Sequence, residues 1–145
     1  MPTYLRGLTP HGENLALDSI FGSGSPASIF VGLAQTISGD TPVGEPTIAT
    51  NGYARVEIEN DTDNWPAASG GAKVCQLDVV FPISTGAWAA GASLLLCVLY
   101  DAATAGNAIG FMTLPVPVIM NGAGITVKLL TANSDLSVSI VQSTT

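Results

Sequence analysis

The side chains able to do chemistry are few, and their spacing argues against catalysis. His11 is the single histidine. A Ser-His-Asp arrangement needs a base held rigidly between two partners, whereas His11 stands between Pro10 and Gly12 within the N-terminal arm; a surface or cap-proximal histidine is the better account. Glu57, Glu59, Asp61 and Asp63 recur at every second position, which on a strand places them on one face. Hard cations such as calcium take roughly six to eight oxygens, and these carboxylates with Asn60 or Asn64 would supply part of such a shell. The DxDxDG loop is absent and Arg55 shares the face, so a solvated strand face or subunit contact is the leading expectation and a cation site the alternative. Glycoside hydrolysis would need a facing acid across a cleft, and nothing marks one. Trp65 and Trp88 suit core lids or interface anchors better than sugar platforms. The GSGSP stretch at 22–26 lacks the helix and lysine of a phosphate loop. The expectation is a non-enzymatic protein without cofactor or metal.

Composition narrows the class. The chain has 145 residues, 47% apolar and only 10% charged, with a net charge of -7. Its basic residues, Arg6, Arg55, Lys73 and Lys128, are scattered. Nucleic-acid binding requires clustered cations, as does attraction to anionic membranes, so neither partner is expected. Cys75 and Cys97 form no CxxC or Cys/His pair and read as reduced, buried thiols. The N-terminal MPTYLRGL carries no apolar signal core, and the longest apolar runs fall short of a membrane span of about 20 residues. A soluble protein made in the cytoplasm is expected.

The elements that must position these residues are mostly strands. Thr9-Pro10 supplies a helix cap and first position; Leu17, Ile20 and Phe21 then share one helical face, and Gly22 can end it. Ile29, Val31 and Leu33 alternate within a strand. Residues 37–51 read as a long loop. From Tyr53 to Asn60 the pattern sends Ala54, Val56 and Ile58 inward and Tyr53, Arg55, Glu57 and Glu59 outward. A further strand over Val74–Phe81 turns Cys75, Leu77, Val79 and Phe81 inward. The run Ser93–Tyr100 is apolar on both faces, which marks a central strand covered on both sides. A turn at 101–107 leads to a strand over Ala108–Leu114, and the two can form a hairpin. Pro115 and Pro117 argue against a central strand beyond. Alternation returns at Ile125–Leu129 and Leu136–Ile140. The sum is a mainly β domain, an antiparallel β-sandwich or flattened barrel with one short N-terminal helix, over residues 13–145, preceded by an arm at 1–12.

Several segments together resemble a known family. Gly52-Tyr53-Ala54-Arg55, Val79-Val80-Phe81-Pro82, Thr85-Gly86-Ala87-Trp88 and the run from Leu99-Tyr100-Asp101 to Asn107 are similar, in that order, to segments of small virion proteins of tailed bacteriophages, usually labelled tail fibre or minor structural proteins. The resemblance extends from about residue 14 to the end of the chain and carries no catalytic residues. Here a Gly-Ala-Leu-Thr segment is replaced by Gly110-Phe111-Met112-Thr113-Leu114, and a polar strand by the apolar Leu94–Leu99. The apolar replacement favours a lattice-embedded subunit over a fibre tip.

The leading functional expectation is therefore a capsid decoration or cement protein that clamps neighbouring copies of the major capsid protein. The alternative is a tail fibre or adsorption module binding host-surface glycans through Trp65, Tyr53 and the 61–72 loop. The apolar excess of Leu94–Leu99 suggests a homo-oligomer, most simply a trimer. Tyr4, Leu5, Arg6 and Leu8 of the arm, with Trp65, are the candidate partner contacts, and the arm could add a strand to a capsid edge.

Overall fold

A computed structural model of the chain describes residues 8–39, 41–131 and 136–139. The helix α1, Pro10–Ile20, starts where the cap signal placed it: the Gly12 N–H donates to Thr9 Oγ1 at 3.2 Å, and Pro10 takes the first turn. It buries Leu17, with Phe21 just beyond its end, whereas Ile20 stays partly exposed. Gly22 then adopts φ +82°, and a Cβ there would sit 2.6 Å from the Trp65 carbonyl, so glycine is required twice over.

The main sheet has four antiparallel strands in the order β4 (Val56–Glu59), β1 (Ser28–Ala34), β7 (Ser93–Tyr100) and β8 (Ala108–Ile119). Three two-stranded sheets surround it: β2 (Thr36–Ser38) with β3 (Thr41–Val43), β5 (Ala72–Val74) with β10 (Ser137–Ser139), and β6 (Val79–Val80) with β9 (Lys128–Leu129). The architecture is mainly β and antiparallel with one short N-terminal helix, as expected. No closed barrel forms among the described residues.

Register explains the double apolar character of β1 and β7. Pairing Val31 with Leu99 and Leu33 with Cys97 directs these residues, with Ile29, Ile58 and Leu94, into the principal core. The intervening Ala34, Leu96, Val98 and Tyr100 form a second cluster on the opposite face, covered by Phe30, Ile37 and Ala108. Both faces of the β7 run are thus covered within one subunit, except at Leu95. This removes the sequence argument that an oligomer is needed to hide it. Cys75 and Cys97 are free, buried thiols of the principal core.

Other details depart from simple alternation. The expected strand over Val74–Phe81 splits into β5 and β6. Leu77 consequently turns outward, while its N–H and carbonyl engage the Cys75 sulfur. Tyr53 lies before β4 and is buried rather than outward. Strand β8 continues through Pro115 and Pro117 because it is the sheet edge, where a missing N–H costs no ladder bond. The register shifts between Leu94 and Leu96, so residues 114–117 bulge opposite Leu95. Alternation at Ile125–Leu129 yields only the two-residue β9, and Ile140 lies outside the described residues. Part of the 37–51 loop is the β2–β3 ribbon.

The helix is tied to β5 by polar contacts that periodicity does not reveal. Lys73, buried despite its charge, places Nζ 2.6 Å from Asp18 Oδ1, and the Ala68 N–H donates to the same oxygen at 2.8 Å. The hydrogen bond from Lys73, then that from Ala68, hold the Asp18 carboxyl below its ordinary range. Asn60, also buried, accepts from the Gly22 N–H and donates to the Ile20 and Pro26 carbonyls. Three points of the connection between α1 and β1 are thus fixed by one amide.

Candidate functional site

The segments that carry the family resemblance are distant in sequence, but the fold brings them together. Tyr53, Phe81 and Trp88, each nearly inaccessible, form an aromatic cluster. Tyr53 meets Trp88 edge-on at 5.0 Å between centroids and stacks on Phe81 at 6.5 Å. The Trp88 indole N–H donates to the Asn51 carbonyl at 2.8 Å. The Tyr53 hydroxyl accepts from the Leu33 N–H at 3.0 Å and donates to Glu45 Oε1 at 2.9 Å. Burial, reinforced by the neighbouring Glu45 charge, pushes this phenol far above its usual pKa, so it remains a donor.

Arg55 completes the arrangement. Its Nε and Nη2 donate to the two oxygens of Glu45, each at 2.8 Å. Its Nη1 donates to the Ala102 and Ala105 carbonyls at 2.7 and 2.9 Å. The guanidinium carbon lies 3.4 Å from the Tyr100 ring centroid, a cation–π contact. Side-chain exposure is 4% for Arg55 and 19% for Glu45, so the pair is largely withdrawn from water. Burial opposes the Arg55 charge, but Glu45 outweighs it and raises the guanidinium pKa. The turn gripped by Arg55 is closed from within, because Asp101 accepts from the Asn107 N–H at 2.7 Å. Gly32 lies beneath: a Cβ there would come within 2.9 Å of Tyr100 Cε2 and of the Tyr53 hydroxyl. A planar, five-donor guanidinium is needed to bind a carboxylate, two carbonyls and a ring at once, and lysine cannot replace it.

An open groove of about 390 Å³ adjoins this clamp. Gln35, Glu45, Thr47, Thr50 and Asn51 supply its polar lining, and Trp88 its aromatic part. Its borders hold unusual backbone: Ala49, Asn51, Ala89 and Ala90 all have φ between 50° and 64°. Left-handed alanine costs roughly 1–2 kcal/mol per residue, and such strain persists only where the surroundings over-determine it. Here they do: the Ala49 N–H donates to the Tyr53 carbonyl, the Thr85 N–H to the Asn51 carbonyl and Asn51 Nδ2 to the Ala87 carbonyl, while the Gly91 and Ala92 N–H groups close the 88–92 turn on the Trp88 and Ala89 carbonyls.

The residues singled out from sequence fall elsewhere. Tyr4, Leu5 and Arg6 lie outside the described residues; Leu8 is exposed ahead of the helix. Trp65 is completely buried and packs on Phe21 at 4.8 Å between centroids. It and Tyr53 therefore offer no face to a glycan or a partner, which corrects the surface assigned to them. Glu57 accepts from Ser28 Oγ and Asp61 from the Asn64 N–H; the acidic run makes local contacts, and no metal-ligating group of three His, Cys, Asp or Glu occurs among the described residues. His11 is exposed on the first turn of α1. Apart from Trp88, which was read as a core lid or anchor, the polar groove residues were missed because each sits outside the regular strands, without periodicity; Asn51-Gly52, a turn dipeptide, was the available signal.

A comparison with curated proteins finds no match. The family model for podophage GP4 fiber I protein gp80 matches residues 7–136, nearly the whole chain and every segment of the clamp. The chain belongs to that family of phage virion fibre proteins.

Proposed function

We propose that this chain is a fibre subunit through which a podophage virion contacts its host surface, with glycans as the receptor class. The family match over residues 7–136 carries the reading. It backs a fibre and lends no support to a capsid cement, so contact with the major capsid protein is not carried forward. The low charge and small polar side chains suit hydrogen bonding to sugars at little entropic cost. Repeated copies on a particle would turn weak individual contacts into firm attachment. The chain would act as a homo-oligomer, most simply a trimer. Phe111, Val116 and Ile119 of β8, exposed by 49%, 71% and 53%, support that arrangement.

Gold-labelled antibody against the chain, imaged on intact virions, tests the reading. Label confined to the tail apparatus is expected. Label spread across the capsid shell would reject the fibre role and restore the cement.

A further inference from the structure

We infer that the groove between residues 45–51 and 87–90 is a binding site for a neutral, hydroxyl-rich saccharide unit. The inference rests on the fibre reading and assigns it a site and a ligand class. The volume, about 390 Å³, lies at the low end for small-molecule sites, which suits a short saccharide rather than a polymer cleft.

Electrostatics select the class. Glu45 is the one acidic residue of the lining and no lysine or arginine contributes to it. Both Glu45 oxygens are already committed, to Arg55 and to the Tyr53 hydroxyl. The groove thus presents neither a free cation for an anionic ligand nor an unpaired anion for a cationic one. Hydrogen-bonding capacity remains. Among the described residues, no side-chain hydrogen bond occupies the Gln35 amide or the Thr47 and Thr50 hydroxyls. Asn51 spends its Nδ2 on the Ala87 carbonyl and keeps Oδ1 as an acceptor. Mixed donors and acceptors without net charge match sugar hydroxyls, which are both at once.

The site is also preformed. Gln35 lies against Gly44, where a Cβ would come within 2.6 Å of the Gln35 side chain, so this amide is backed by chain. The 49–51 rim is held in left-handed conformation by the bonds from Ala49, Thr85 and Asn51, and the opposing 89–90 rim is closed by the Gly91 N–H on the Trp88 carbonyl and the Ala92 N–H on the Ala89 carbonyl. A rigid, prepaid geometry lowers the ordering cost of binding a weakly held ligand.

Saturation-transfer NMR on the full chain, with fragments of purified host surface polysaccharide separated into neutral and acidic fractions, tests the inference. The wild-type chain is expected to bind the neutral fraction. Thr50→Val and Thr47→Val, which keep shape and lose a hydroxyl, should each weaken binding about fivefold, the effect of one lost hydrogen bond. The exposed Thr126→Val outside the groove should not, and thermal unfolding should show all three variants folded. Wild-type binding that both groove variants retain in full would overturn the site while leaving the fibre reading intact. Preference for the acidic fraction would overturn the ligand class. Binding of neither fraction would remove the glycan reading together with the site.

Discussion

The two faces of the four-stranded sheet are held by different physics. The principal face buries Ile29, Val31, Leu33, Cys97 and Leu99 against the Tyr53–Phe81–Trp88 cluster, and its stability comes from area removed from water. The opposite face has a thinner apolar layer of Ala34, Leu96, Val98 and Tyr100, fastened by one guanidinium that joins Glu45, Tyr100 and the turn at 101–107. The first face tolerates gradual change; the second depends on a few directional contacts that fail together. The groove lies where the two meet, lined by Trp88 from one system and Glu45 from the other.

Substitutions should separate the systems. Trp88→Ala removes a buried ring and leaves a cavity, and should cost about 4 kcal/mol, read by chemical denaturation. Arg55→Ala strands Glu45 and two carbonyls and should cost about 3 kcal/mol; pairing it with Glu45→Gln should recover about 2 kcal/mol relative to additivity. Additive behaviour in that cycle would mean the clamp is not a unit. Gly32→Ala drives a methyl into Tyr100 and Tyr53 and should cost about 2 kcal/mol. The smallest effect is one of pH. Asp18, Asp78 and Asp101 all have carboxyls held below the ordinary Asp value of 3.8, by hydrogen bonds from Lys73, Thr131 and Asn107 respectively. The unfolded chain takes up their protons first, so stability is complete above that value and declines as pH falls below it. A pH series of melting temperatures measures this, and a melting temperature unchanged down to pH 2 would contradict it.

The same division decides what was legible in the sequence. Alternation located β1, and a run apolar on both faces located β7, because burial of one face or of both leaves its own pattern. The Thr9-Pro10 signal placed the helix start to the residue. Alternation misdirected Tyr53 and Leu77, which lie outside regular strand where the period does not apply. Pairings such as Arg55 with Glu45 or Lys73 with Asp18 follow no local rule, since the partners stand 10 and 55 residues apart in sequence. The resembling segments carried that information without its geometry. Trp65 shows the limit of reading side-chain type alone: a loop tryptophan reads as a partner contact, but its ring packs on Phe21 and is fully buried. The groove, built from threonine, glutamine and asparagine in loops, left no periodic trace.

Host attachment is most directly tested by the adsorption rate of virions carrying Thr47→Val and Thr50→Val together, compared with wild-type particles at equal particle number and equal content of the chain. The account predicts intact virions that adsorb at least about tenfold more slowly, two lost hydrogen bonds multiplied over several copies. Equal adsorption by fully assembled particles would contradict it.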